Sequence, residues 1–284
     1  MKLDRRILIT GISGFIGSKL KEVFIERGYE VWGISRQKND DVHIVKGDLS
    51  SFESTKQAFS KLPDCSIVIH AAALAHSATK KVGQDYYKIN TTLTDNLAKY
   101  LVGKQIQFIY LSSISVYGLE GSRSAVTVGD EKKPATKYGM SKLKCEEIIQ
   151  NSDIDSIAIL RPAPVFDDNH LVDVKKRVYF PKQNIFKLVV KPAPKFSLCH
   201  INTLTTFILK LVDDEKKPPL KIMNVADPVP YNQNELASKF SGIEISIYSF
   251  LFFPICRFFK IFDSGLGYAI NCNLGKLFFD NIYE

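Results

Sequence analysis

The chain is expected to fold as an α/β protein, a doubly wound parallel sheet (Rossmann-type) followed by a smaller C-terminal substrate-binding part. Three observations predict this. A glycine-rich turn joins an apolar run to an apolar-periodic helix at the start of the chain. Strand-like and helix-like segments then alternate as far as residue 160. That rhythm breaks after Arg161-Pro162.

The elements follow in order. Residues 6–10 contain the apolar, largely β-branched run Ile7-Leu8-Ile9, which reads as a buried strand. Gly11, Gly14 and Gly17 come next. They leave no Cβ where the backbone must turn tightly, approach a pyrophosphate and let the following helix sit on its strand. Phe15, Ile16, Leu20, Val23 and Phe24 recur at helical spacing over 15–27, and Gly28 stops that helix. With 16 glycines in 284 residues the spacing alone would be weak, and it is the strand before and the helix after that point to a bound dinucleotide. Further strands are predicted at 30–34, 43–46, 66–70, 106–111 and 156–160, and further helices at 53–61, 84–101 and 138–150. This alternation predicts a parallel sheet with helices on both faces. A cut at 162 divides a dinucleotide-binding domain, 1–162, from a substrate-binding part, 163–284. Within the latter, 163–200 is rich in Pro, Lys and short apolar clusters with no clean period. Helices at 201–212 and 232–241 flank a strand at 220–225, interleaved with the first domain.

The segment 245–262 is strongly aromatic, with Phe250, Phe252, Phe253, Phe258, Phe259 and Phe262. Pro254, Arg257 and Lys260 interrupt a run barely as long as the ~18–20 residues a membrane span needs, so no transmembrane segment is expected. It is read as an amphipathic helix packed on the body, on a partner subunit or as a peripheral contact on a membrane surface, with burial within the protein the ordinary reading.

An apolar content of 45% can bury a substantial core without disulfides or a metal. Cys65, Cys145, Cys199, Cys256 and Cys272 are odd in number and widely spaced, which argues for a reducing compartment and against a zinc site. No secretory signal is visible, and a cytoplasmic enzyme is expected. The net charge of +8 is spread over short lysine runs without the basic stripe and interleaved aromatics that nucleic acid asks for; an anionic small molecule explains it equally well.

Tyr138-Gly-Met-Ser-Lys142 places a phenol and an ammonium four residues apart, on one face of a helix. Tyr100 and Lys104 repeat the spacing, and position decides between the two pairs. Tyr100 and Lys104 close a helix before the 106–111 strand, whereas Tyr138 and Lys142 open one after that strand and its loop. Ser112 and Ser113 stand at the strand's carboxyl end, where open parallel sheets carry ligands.

These residues resemble the extended short-chain dehydrogenase/reductase family (the NAD-dependent epimerase/dehydratase group), in particular members acting on nucleotide-activated sugars. The resemblance covers the glycine turn, Gly47-Asp48-Leu49, Val68-Ile-His-Ala-Ala-Ala73, Asn90, Leu111-Ser-Ser-Ile-Ser-Val-Tyr-Gly118, Tyr138-x-x-x-Lys142, Leu160-Arg-Pro162 and Ser197-Leu-Cys-His-Ile201. It implies catalysis by Ser113, Tyr138 and Lys142. It implies a cofactor held by Gly11, Gly14, Phe15, Ile16, Gly17, Ser35, Arg36, Asp48, Leu49, Ala71, Ala72, Ala73, Asn90, Tyr138, Lys142 and Pro162. Asp48 and Leu49 would border the adenine, Ala71 to Ala73 would line the cofactor with backbone, and Asn90 would support the active-site strand and helix. The roles suit the side chains. A phenol with an ordinary pKa near 10 is a poor base until a neighbouring ammonium favours its phenolate. Tyr138 would then exchange a proton with a sugar oxygen, Lys142 would lower its pKa and bind the nicotinamide ribose, and Ser113 would donate to the same sugar oxygen.

Family dehydratases carry an acidic pair after the catalytic Ser or Thr, where this chain has Ile114 and Ser115, and enzymes epimerising C3 and C5 place a cysteine where Ser115 stands. Both reactions are disfavoured, leaving C4 ketone reduction and C4 epimerisation. Val31-Trp-Gly-Ile-Ser-Arg36 ends without an acid for a ribose 2′-hydroxyl. Glu30 begins the strand and should point away, so NADP(H) is favoured over NAD(H) and reduction of a 4-keto sugar nucleotide leads. Ser113 and Ser115 are candidates for contact with the sugar, and Arg177 and Lys195, with Lys191, for the substrate diphosphate, as mobile basic groups. His170 and His200 are assigned no catalysis. A non-catalytic dinucleotide sensor and a reductase of a non-sugar carbonyl are the remaining readings. The resemblance also implies a homodimer paired through 84–101 and 138–150.

Overall fold

A computed structural model describes residues 5–37, 39–74, 85–118, 125–180, 184–252, 278 and 280–284. Strand β1 (Arg6–Thr10) has Ile7 and Ile9 fully buried and Leu8 nearly so, as an interior strand covered on both faces must be. Helix α1 (Phe15–Glu26) turns Gly17, Leu20 and Phe24 inward and ends at Gly28, whose φ of +77° is the left-handed conformation that closes helices. Strands β2 (Glu30–Ser35) and β3 (Ile44–Lys46) follow. Helix α2 (Phe52–Phe59) starts on a capping box, with the Ser51 hydroxyl accepting from Ser54 N and the Ser54 side chain answering Ser51 N. After β4 (Ile67–His70), helix α3 (Tyr86–Leu101) is capped by Asp85, whose carboxylate accepts from the amides of Tyr87 and Lys88. The pattern continues with β5 (Gln107–Leu111), a 3₁₀ turn over Ile114–Tyr117, α4 (Lys137–Gln150) and β6 (Ser156–Pro162).

The main sheet has seven strands in the order β11-β6-β5-β4-β1-β2-β3, where β11 is Leu220–Val225, and the pairs β2–β3, β1–β2, β1–β4, β4–β5 and β5–β6 are parallel. The order reverses between β1 and β4. In open parallel sheets the crevice beyond the strand ends at such a reversal is where ligands bind.

The chain divides into two compact units. The first takes 1–112, 140–161 and 205–223, and the second takes 113–139, 162–204 and 224–284. Each is therefore discontinuous, and the sequence reading had a cut at 162 with the second part interleaved with the first domain. The core of the first unit runs from Leu8, Ile34 and Val68 through Leu97, Phe108 and Tyr110 to Ile149 and Ile159. In the second, β7 (Val165–Phe166), α5 (Val172–Lys175), β8 (Phe186–Lys191), β9 (Lys195–Phe196) and β10 (Cys199–His200) precede α6 (Ile201–Asp213), which runs on into the first unit. After β11 come β12 (Tyr231–Asn232), α7 (Gln233–Ser238), β13 (Ile243–Tyr248) and a 3₁₀ turn over Ser249–Phe252. Gln233 is fully buried and ties α7 to β8, donating to Leu188 O at 2.7 Å and accepting from Val190 N at 3.2 Å.

The region 163–200 has no clean period, yet 186–191 forms β8. One sequence expectation is corrected here. The start of the aromatic tail is a strand and a 3₁₀ turn, not an amphipathic helix. Ile243, Ile245 and Ile247 recur every second residue, a strand period, and β13 pairs in parallel with β8 from Ile243↔Phe186 to Tyr248↔Lys191. Burial within the protein does not hold for this stretch either, since Tyr248, Phe250 and Leu251 are each more than half exposed. The rest of that expectation, 253–262, lies outside the described residues. Among the described residues no helix is long and apolar enough to cross a membrane.

Candidate active site

The cradle beyond β1 and β4 is shaped by absent side chains. Gly11 has φ +73°, and a Cβ there would lie 2.7 Å from Ala72 Cα; one on Gly17 would lie 2.1 Å from Gly11 O. Gly14 caps α1, and its amide donates to Gly11 O at 2.9 Å, so that the first turn of the helix, with half-buried Phe15 and Ile16, follows the glycine turn directly. Across the crevice Ala71, Ala72 and Ala73 are half-buried, with Ala71 N donating to Thr10 O at 3.1 Å. This is backbone packed too closely for any side chain, and it fits the pyrophosphate of a dinucleotide.

His70, at the end of β4, braces the cradle from beneath. Its Nδ1 lies 2.6 Å from Thr10 Oγ1 and its Nε2 3.1 Å from Thr94 Oγ1, joining β1, β4 and α3. Burial, aided by the charge of Lys142, lowers its pKa to about 3, so it is a neutral strut and not a proton shuttle.

At the far end of β2, Ser35 accepts from Gln37 N at 3.2 Å and Arg36 is exposed. Arg36 lines a cleft of about 360 Å³ with Lys46, Asp48, Ser54, Gln57 and Lys61. Asp48 accepts from both the amide and the hydroxyl of Ser50, and buried Leu49 is pinned through its carbonyl by Asn96. Glu30 sits at the opposite end of β2, accepting from Arg6 Nε at 2.7 Å and from Trp32 Nε1 at 2.8 Å.

Helix α4 carries Tyr138 and Lys142 one turn apart. Lys142 is buried and donates to Leu111 O, the last carbonyl of β5, at 2.6 Å. Burial outweighs the opposing pull of Cys145 and Glu146 and lowers its pKa to about 8, so it stays charged at neutral pH. One turn further on, Glu146 is fully buried. It accepts from Arg161 Nε at 3.0 Å and Nη2 at 2.7 Å and from Ser112 Oγ at 2.5 Å, clamping α4 to the carboxyl ends of β5 and β6. Asn90 accepts from Leu74 N at 2.8 Å and donates to Ser141 Oγ at 3.0 Å, tying the segment after β4 to α4. Pro162 is buried at the end of β6.

In the second unit, Ser113 caps the 3₁₀ turn by accepting from Ser115 N at 3.1 Å, with its hydroxyl 3.0 Å from that of Ser115. Tyr138 is half-buried. The start of α4 lies so close to this turn that a Cβ on Gly139 would stand 2.5 Å from Ser115 O. Arg177 is not a mobile basic group. It is buried, donates from Nη1 to Asp173 O at 3.0 Å and lies over the Phe196 ring at 5.5 Å, because the turn after α5 folds it back on β9. Lys191 and Lys195 are exposed. His200 accepts from Asn202 N through Nδ1, a turn contact, and packs edge-on against Phe166.

Sequence reasoning missed three features: the Glu146 clamp, the His70 strut and the Lys46 and Lys61 flank of the cleft. Glu146 had left a signal, since it continues the Tyr138–Lys142 face by four residues.

Comparison with known proteins bears on the fold and the family. A UDP-glucose 4-epimerase of Vibrio cholerae is 30% identical over 237 residues, 76% of this chain and 69% of that protein. Two solved structures share the fold, each with a TM-score of 0.66. One is a UDP-glucuronic acid 4-epimerase of Bacillus cereus with NAD, 21% identical and covering 86% of this chain and 87% of that one. The other is a dTDP-4-dehydrorhamnose reductase of Bacillus anthracis with NADP, 20% identical and covering 87% and 85%. The model of the NAD dependent epimerase/dehydratase family matches residues 7–171, and the chain belongs to that family.

Proposed function

We propose that this protein reduces the C4 ketone of a 4-keto sugar nucleotide, with NADP(H) as the hydride carrier. The observation that carries the reading is the end of β2. Where an acid would hold a ribose 2′-hydroxyl, the chain has Ser35, engaged by Gln37 N, and Arg36 on an open cleft. The glycine cradle would hold the pyrophosphate of the dinucleotide, which when bound would supply hydride from its nicotinamide. The residues of this chain supply the proton and the positioning. The Tyr138 hydroxyl transfers its proton to the C4 oxygen, Ser113 donates a hydrogen bond to that oxygen as charge develops, and the Lys142 ammonium favours the phenolate left behind. Glu146 holds the strand end and helix that carry these groups.

The Vibrio cholerae relative favours a second reading, C4 epimerisation with a retained NAD. Mass-spectrometric identification of the dinucleotide released on denaturing freshly purified protein separates the two. NADP(H), or an empty site with NADPH oxidation on 4-keto sugar nucleotides, supports the reductase; stoichiometric NAD overturns it in favour of the epimerase. Tyr138→Phe should lower turnover by about 10²–10⁴-fold while dinucleotide binding survives, and an unchanged rate would remove Tyr138 from the chemistry.

A further inference from the structure

The cleft beside Arg36 carries more positive charge than cofactor binding by Arg36 alone requires. Lys46 reaches it from the end of β3 and Lys61 from the turn after α2. Cations of α1 and α2 outside the cleft are neutralised where they stand. Lys19 sits 2.9 Å from Glu22, Lys21 2.5 Å from Asp41, and Lys56 4.0 Å from Glu53 and 4.7 Å over the Phe52 ring. Arg36, Lys46 and Lys61 make no ion pair with any described residue. The one carboxylate in the cleft, Asp48, already accepts twice from Ser50.

Any one of these side chains alone is an ordinary solvated surface cation. Three of them lining one concave site with Asp48 as its one carboxylate are a different matter, since a surplus of positive charge remains. Their mutual repulsion lasts until an anion enters, and a dianion relieves it most. The side chain of Gln57 adds to the wall an amide able to donate to phosphate oxygens. We propose that Lys46 and Lys61 are specificity-determining residues that, with Arg36, select the 2′-phosphate of the adenosine half of the cofactor. Arg36 approaches from β2 and the two lysines from β3 and α2, so the phosphate is held from three elements. The inference rests on the NADP(H) reading above.

Calorimetric titration of the full chain with adenosine 2′,5′-bisphosphate and with adenosine 5′-monophosphate tests it, because the two probes differ by the 2′-phosphate alone. The bisphosphate should bind more tightly to the unmodified protein. Lys46→Ala and Lys61→Ala should each weaken it by about 3–10-fold while the monophosphate stays within about twofold, and raised salt should erode the preference. Lys56→Ala, on α2 but paired with Glu53 and outside the cleft lining, should change neither. If Arg36→Ala abolishes the preference and the two lysine variants keep it, the inference fails and the NADP(H) reading stands. A loss with Lys56→Ala equal to theirs would mean a diffuse field and would overturn the assignment. No preference in the unmodified protein overturns both readings.

Discussion

Replacing Glu146 by Gln removes a negative charge from a place where both it and Arg161 are 0% exposed, and keeps the side chain's volume. At 2.7 Å, and an effective dielectric constant near 20, the gross attraction of the pair is about 6 kcal/mol. Breaking a buried pair from one side typically costs about 3–5 kcal/mol, because the remaining ion stays desolvated. Here that ion is Arg161, whose Nε and Nη2 both donate to Glu146, and Ser112 also loses a charged acceptor. Taking about 4 kcal/mol, and an unfolding entropy of about 2.1 cal/mol/K per residue over 284 residues, the melting temperature should fall by about 7 °C. Thermal unfolding followed by circular dichroism at pH 7 measures this. Glu146→Met combined with Arg161→Met, which removes both charges, should recover most of the loss. A drop below about 2 °C in the single variant would refute the reasoning, as would a double variant less stable than the single one.

Lys142 should make the protein more stable as the pH rises. Its folded pKa of about 8 lies below the ordinary lysine value of 10.5, so between these values the unfolded chain holds the extra proton; stability measured against Lys142→Met should rise by about 3 kcal/mol across that window. His70 is the acid counterpart, with a folded pKa of about 3 against 6.5. Stability should fall as pH drops from 6.5 towards 3, and His70→Asn should flatten that part of a urea-denaturation series. Gly139→Ala puts a Cβ 2.5 Å from Ser115 O, so the start of α4 or the Ser113–Ser115 turn must move. A loss of about 1–3 kcal/mol in urea unfolding is expected, with turnover falling more than dinucleotide affinity; unchanged kinetics would show the contact to be slack.

Much of the fold is legible in the sequence because its signals are local. Ile7-Leu8-Ile9 before three glycines and a helix is a short-range pattern, and the strands at 6–10, 30–35, 67–70 and 107–111 fall within a residue or so of where periodicity puts them. Periodicity reads less well where a strand is justified by its partner. Strand β8 makes sense only beside β13, and β13 hides in an aromatic stretch whose composition suggests a helix. The site divides in the same way. Gly11 and Gly17 announce themselves by their place between an apolar run and a periodic helix. Arg177 looks like an anion clamp until the turn after α5 folds it onto Phe196.

By itself the sequence determined the cradle, the order of the parallel strands' neighbours along the chain, and which residue types stand at the strand ends, because each depends on residues within a turn or two of one another. Tertiary structure alone decided which charges meet. Glu146, Arg161 and Ser112 come from three separate elements, and so do Arg36, Lys46 and Lys61. The first set has its charges matched and is sealed from water; the second keeps a surplus of positive charge beside Asp48 and is open to it. Charge is written in the sequence, but its compensation depends on distances that exist only once the strands have been brought side by side.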